Sequence, residues 1–240
     1  MNIFAASALV ALLLLAGCAS HEASPGANVG FTGRGAGSAV VRNEFIFDDA
    51  PFPSAHASTI AETTGGDLLA AWFGGKEEGA PDVGIWLSRF EGDKWSPPLE
   101  VAAGVQADGK QLPCWNPVLF QSHQGPLFLF YKVGPTPKSW WGLFKTSKDG
   151  GRTWSNARPL PDRILGPIKN KPVQLKDGTI VAGSSTENSG WKVHMESTSD
   201  GGLTWQHTKT LNDVQEFDVI QPTILVHGGG NLQILCRSKQ

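Results

Sequence analysis

The chain has 240 residues, a formal net charge of −2 and 40% hydrophobic residues. That apolar content is enough to bury one or two cores and excludes an intrinsically disordered chain. The near-neutral balance leaves no basic footprint and argues against nucleic acid as a partner. Glycine (29) and proline (16) are abundant, and nine tryptophans stand against one tyrosine. This aromatic usage points either to a repeated structural Trp or to a surface that stacks on sugars. Many short apolar runs bounded by Gly, Pro and Asp predict an all-β protein.

Residues 4–17 form an apolar run too short for a comfortable membrane span. It closes on Leu15-Ala16-Gly17-Cys18, which resembles the lipobox of bacterial lipoproteins. There the small residues admit the peptidase and the Cys18 thiol accepts a diacylglycerol. No Lys or Arg precedes the run, so an ordinary secretory signal is the alternative. The expected organisation is a signal peptide over residues 1–17 and a lipidated Cys18 with a Gly/Ala/Ser-rich tether over 18–42. The β domain then spans 43–240. The resemblance implies the bacterial cell envelope, with the membrane as a partner through the lipid, or secretion if Cys18 is incidental. Cys114 and Cys236 sit in or beside apolar runs and read as buried free thiols.

Downstream, two features repeat in phase. Asn116-Pro-Val-Leu-Phe, Lys171-Pro-Val-Gln-Leu and Gln221-Pro-Thr-Ile-Leu each set a polar residue before Pro and a short strand. Their prolines, at 117, 172 and 222, are spaced by 55 and 50 residues, and Ala57–Ile60 is the expected first member. Each is followed by a turn and an apolar second strand: Leu68–Phe73, Leu127–Tyr131, Ile180–Gly183 and Leu232–Cys236. A third strand then runs into a hairpin. Ser147-Lys-Asp-Gly-Gly-Arg-Thr-Trp154 matches Thr198-Ser-Asp-Gly-Gly-Leu-Thr-Trp205, and Ser88–Trp95 is a degraded copy. Asp closes such a turn through its side chain and Gly tolerates positive φ. Four strands at a period near 50 predict β-propeller blades, with a β-sandwich or a β-helix as the alternatives.

Ser-x-Asp-x-Gly-x-Thr-Trp resembles the Asp-box, the BNR repeat of the sialidase superfamily. With Phe52-Pro-Ser-Ala-His56, Cys114-Trp-Asn-Pro117 and Arg237-Ser-Lys-Gln240, the chain is similar to the bacterial lineage of predicted neuraminidases. The resemblance implies a six-bladed propeller, of which about three blades and part of a fourth lie within these residues. The family's late Arg and its Tyr nucleophile with a Glu partner are then expected beyond Gln240. The Asp-box itself lies between outer strands and is a signal of fold, not of chemistry.

In such a propeller, inner-strand starts and the loops after second strands open onto a central funnel. The repeat therefore nominates His56, Asn116, Lys171 and Gln221 from inner strands, and Asp82, Lys132, Glu187 and Arg237 from second-strand ends. Asp82, His56 and Glu187 are the candidate catalytic residues. Arg237, Lys132, Asn116, Lys171 and Gln221 are the candidate substrate-binding residues. Arg237 resembles the family's second carboxylate-binding Arg, whose planar fork suits bidentate pairing. Asp82 occupies a loop comparable to that of the family's acid/base Asp, or else serves its Pro-Asp turn. His56 stands where the first Arg of the family would be, and is either a near-neutral acid/base or a histidine bonded within the strand layer.

Trp115, Trp140, Trp141 and Trp191 flank these loops as possible stacking faces, whereas Trp72 and Trp86 read as packing residues. No metal-ligand spacing, phosphate loop or Gly-x-Ser-x-Gly occurs, so no metal or cofactor is implied. The functional expectation is an exported, sialidase-like glycoside hydrolase acting on terminal acidic sugars of a glycan. A glycosidase or polysaccharide lyase acting on uronates, and a non-catalytic carbohydrate-binding propeller, are the alternatives.

Overall fold

The structure, a computed structural model, describes residues 40–239. The expected signal peptide, Cys18 and the expected tether up to residue 39 lie outside the described residues.

Each repeat folds as one antiparallel sheet in sequence order. The first contains β1 (Ser54–Glu62), β2 (Leu68–Gly75), β3 (Gly84–Glu91), β4 (Lys94–Trp95) and β5 (Leu99–Ala102), the last two both pairing with β3. The second contains β6 (Cys114–Gln121), β7 (Leu127–Val133), β8 (Trp141–Ser147) and β9 (Arg158–Pro159). The third contains β10 (Val173–Gln174), β11 (Ile180–Thr186), β12 (Lys192–Thr198) and β13 (Gln206–His207). A final pair, β14 (Val219–Val226) and β15 (Leu232–Ser238), makes the start of a fourth. The four expected second strands are β2, β7, β11 and β15. The sheets are propeller blades, and among the described residues they do not close into a ring.

The blades stack through period-two alternation, because successive side chains of a strand face opposite neighbours. On β7, Leu127, Leu129, Tyr131 and Val133 pack with Leu69, Ala71 and Phe73 of the first blade. Phe128 and Phe130 point the other way, into a cluster with Phe144, Ile164 and Ile180. Cys114 lies in the first of these layers, and burial pushes its thiol up to about 12. Cys236 is free and half-buried. Trp72 and Trp86 are packing residues: Phe52 lies 4.8 Å from the Trp86 ring and 6.4 Å from the Trp72 ring, and Trp86 donates to the Gly74 carbonyl.

Both complete Asp-boxes close in the same way. Asp149 accepts from the Arg152 and Thr153 amides and from the Thr153 hydroxyl, while Ser147 Oγ accepts from Gly151 N at 2.7 Å. Asp200 and Thr198 repeat the pattern with Leu203, Thr204 and Gly202. These bonds favour the ionised carboxylates: Asp149 is held well below its usual range and Asp200 falls to about 2, in both cases chiefly through the threonine hydroxyl. The degraded copy is built differently. Gly92 and Asp93, both at positive φ, make a two-residue hairpin in which Phe90 pairs with Trp95.

Each box also docks on the preceding blade. Trp154 packs into the layer between the first and second blades, and Trp205 into that between the second and third. Arg89 of the first blade is 7% exposed; it pairs with Asp67 at 2.9 Å and donates to the Gly150 carbonyl. A Cβ on Gly151 would meet Leu69 Cδ2 at 2.4 Å, so this position combines φ of 85° with a blade contact that only glycine permits.

Candidate functional site

Three inner strands share one irregularity. Ala57, Asn116 and Gln221 have positive φ (56°, 41° and 56°), and the β1–β2, β6–β7 and β14–β15 registers each slip there. Such a bulge bends the strand and re-aims its side chains. The left-handed conformation is strained for residues with a Cβ and persists where neighbours fix it. Asn116 is buried, and Gln221 is bonded on both sides, from its amide to Ser185 Oγ and from Asn170 Nδ2 to its carbonyl.

The kinked ends meet around a cavity of about 270 Å³. His56, Asn116, Gln221, Glu187 and Arg237 line it, so five nominated residues from four blades come together. His56 is exposed, with its ring 5.4 Å from that of Phe73. Trp115, Trp140 and Trp191 form aromatic walls. Trp115 donates to the Gly134 carbonyl at 2.8 Å and meets Trp140 edge-on at 5.9 Å, which fixes that corner. The Arg237 guanidinium lies 5.4 Å from the Trp191 ring centroid, within cation–π range. The Trp191 amide donates to Asp218, which also pairs with Lys239 at 3.4 Å. Trp141 is outside the lining.

Three nominated residues are elsewhere. Lys132 is fully buried and its ammonium donates to the Pro167 carbonyl at 2.9 Å. It continues the Phe128–Phe130 row of β7 into the layer between blades, so its side chain faces protein, not the cavity. Burial lowers its pKa to about 7, partly offset by the Glu196 carboxylate. Asp82 is exposed and accepts from the Lys76 amide at 3.0 Å, closing its own loop outside the lining. Lys171 is exposed and also outside it. The inner strand of the third blade shrinks to the two residues of β10, and its positive φ falls at Lys169, two residues earlier than the proline phase implied.

Lys169 therefore reaches the cavity in place of Lys171, and Glu78 reaches it from the loop that holds Asp82. Both are additions to the residues nominated from sequence. Glu78 carried a usable signal, since it shares the β2–β3 loop with Asp82 in Lys76-Glu-Glu-Gly79. The lining thus brings together two carboxylates (Glu78 and Glu187), two cations (Lys169 and Arg237), an imidazole and three indoles. It offers proton donors and acceptors, opposite charge for an acidic ligand, and flat apolar faces for a sugar ring. Among the described residues, no group of three or more His, Cys, Asp or Glu is placed to hold a metal ion.

Residues 66–240 match the family described as BNR repeat-like domain. No curated protein matches the chain. Among solved structures, the Hadza microbial sialidase Hz136 superposes with a TM-score of 0.66 at 16% identity, covering 78% of this chain and 43% of its own. The leech intramolecular trans-sialidase complexed with 2,7-anhydro-Neu5Ac gives 0.61 at 12% identity, with 83% and 50% covered. Penicillium chrysogenum alpha-L-arabinanase complexed with arabinobiose gives 0.56 at 20% identity, with 78% and 58% covered. This chain spans about half the length of these relatives. The chain belongs to the BNR repeat-like domain family and has the propeller fold found in sialidases.

Proposed function

We propose that the protein is a glycoside hydrolase that removes terminal acidic sugars from glycans. The single observation that supports this most is the lining of the cavity, where Glu78, Glu187 and His56 lie with Lys169, Arg237 and three tryptophans. A carboxyl group or imidazole within reach of the leaving oxygen supplies acid/base catalysis, and cations select a carboxylate-bearing sugar. Arabinobiose in the arabinanase and the sialic acid derivative in the leech enzyme indicate that this fold serves sugars of both kinds. The Leu15–Cys18 lipobox supports an envelope-anchored position for the reaction.

His56 with Lys169 and Arg237 supports a second reading, uronate lysis, in which a base removes a proton beside a carboxylate that cations neutralise. One panel separates the two. The protein at its full natural length is assayed for fluorophore release from an α-sialoside, a β-glucuronide and neutral hexosides, and for unsaturated product from polyuronates. Release from an acidic glycoside is expected. Unsaturated product alone favours the lyase, and silence in every assay removes both enzymatic readings.

A further inference from the structure

The segment that carries Lys169 is fixed at five points, and three of them use two fully buried charged side chains. Glu196 accepts from the Leu165 amide at 2.9 Å and the Gly166 amide at 2.6 Å, and Lys132 donates to the Pro167 carbonyl at 2.9 Å. The Ile168 amide donates to Gly183 O at 3.1 Å, and Asn170 Nδ2 to Gln221 O at 2.7 Å. Glu196 also bonds His194 Nε2 at 2.9 Å. Stripping water from an ammonium and a carboxylate is costly, so their joint use on one short segment demands a return in its geometry.

At the centre of that segment Lys169 has φ of 69°, a left-handed conformation that its neighbours impose. Its ammonium lies 3.4 Å from the Ser58 carbonyl. Among the described residues, no carboxylate lies within ion-pairing distance of it. Partial burial lowers its pKa, the mark of a cation that has already lost part of its hydration. The Trp115 and Trp140 faces line the same cavity.

We infer, on the glycan-active reading above, that Lys169 is the cation that binds the carboxylate of an acidic sugar, with Lys132 and Glu196 as its positioning residues. Lys169 acts as a point charge on one carboxylate oxygen and leaves the other oxygen to Arg237, which lines the same cavity from another blade. The rigid segment holds the ammonium in place before the ligand arrives, so little ordering is left for binding to accomplish.

Titration of cavity tryptophan fluorescence with N-acetylneuraminic acid, glucuronic acid and methyl glucoside tests this on the full-length protein. Lys169→Met is expected to weaken binding of at least one acid about tenfold or more, as loss of a charge-assisted hydrogen bond does. It should leave methyl glucoside unchanged, and Lys169→Arg should restore most of the loss. Lys132→Met and Glu196→Gln should weaken acid binding when Lys169 is present and add nothing in the Lys169→Met background. Undiminished acid binding by Lys169→Met, or no acid binding by the unaltered protein, overturns the assignment of Lys169. Equal losses in both backgrounds overturn the positioning role. Hydrolysis is scored separately: a protein that cleaves only neutral glycosides loses this assignment but remains a glycosidase. One that binds acids through Lys169 without cleaving anything keeps the assignment and loses the glycosidase reading.

Discussion

The Lys132 ammonium donates to the Pro167 carbonyl oxygen at 2.9 Å from a position with no solvent exposure. Its folded pKa of about 7 lies below the ordinary lysine value of 10.5, chiefly through desolvation. The folded protein therefore binds fewer protons than the unfolded one between those values, and stability rises with pH across that window. Glu196 is the charged neighbour, and Cys114 begins to oppose the trend above its ordinary value of 9.0. From pH 7 to 9, chemical denaturation should show stability climbing more steeply in the unaltered protein than in Lys132→Met. Parallel curves would contradict this.

Arg237→Ala should lower kcat/KM on the preferred acidic glycoside by about 10-fold to 100-fold, the range expected for charge-assisted bonds to a carboxylate. Neutral glycosides should be affected far less. Steady-state kinetics on a matched pair of substrates checks this, and an equal loss on both would assign Arg237 to the Trp191 wall alone.

Asp149→Asn and Asp200→Asn should each lower the melting temperature and leave the activity of the folded fraction unchanged, because both boxes lie outside the cavity lining. Both carboxyl groups are depressed from 3.8, so their contribution is complete above about pH 4 and is lost as pH falls toward 2. Melting curves across that range should converge with those of the variants at the acid end.

Arg89→Leu leaves the Gly150 carbonyl and Asp67 without their buried partner, at a cost of about 1–3 kcal/mol. Asp67→Asn should cost less, since an amide oxygen still accepts from Arg89, which keeps its bond to the Gly150 carbonyl. Urea denaturation of the two variants tests the order.

Gly151→Ala and Gly201→Ala separate two effects. Both glycines have positive φ, 85° and 70°, which costs roughly 1–2 kcal/mol for alanine. Gly201 has open space around it, whereas at Gly151 a Cβ would meet Leu69 and Leu127. Gly151→Ala should be the more destabilising in the same denaturation assay.

The architecture was legible because its signals are local: an Asp-Gly-Gly turn, a Trp after it and a proline in phase specify each blade without reference to distant residues. The lining of the candidate cavity was legible where the repeat held, at His56, Asn116, Gln221, Glu187 and Arg237. It failed where long-range partners decide. Lys132 looked like a polar strand end, yet its partner at Pro167 and the Glu196 charge come from distant segments that bury it. Lys171 kept the proline phase, but the Ile168 amide bonds to Gly183 and shifts the kink back to Lys169. Asp82 sits in the expected loop, and its bond to the Lys76 amide shapes the turn while Glu78 faces the cavity.

The Asp-box hairpins are joints as much as turns. Trp154 and Gly151 seat on the blade before them, and Trp205 and Gly202 repeat the seat one blade later. Since each seam is made of like parts between immediate neighbours, a blade carries its own coupling to its predecessor. A duplicated or exchanged unit would therefore bring its own seam with it.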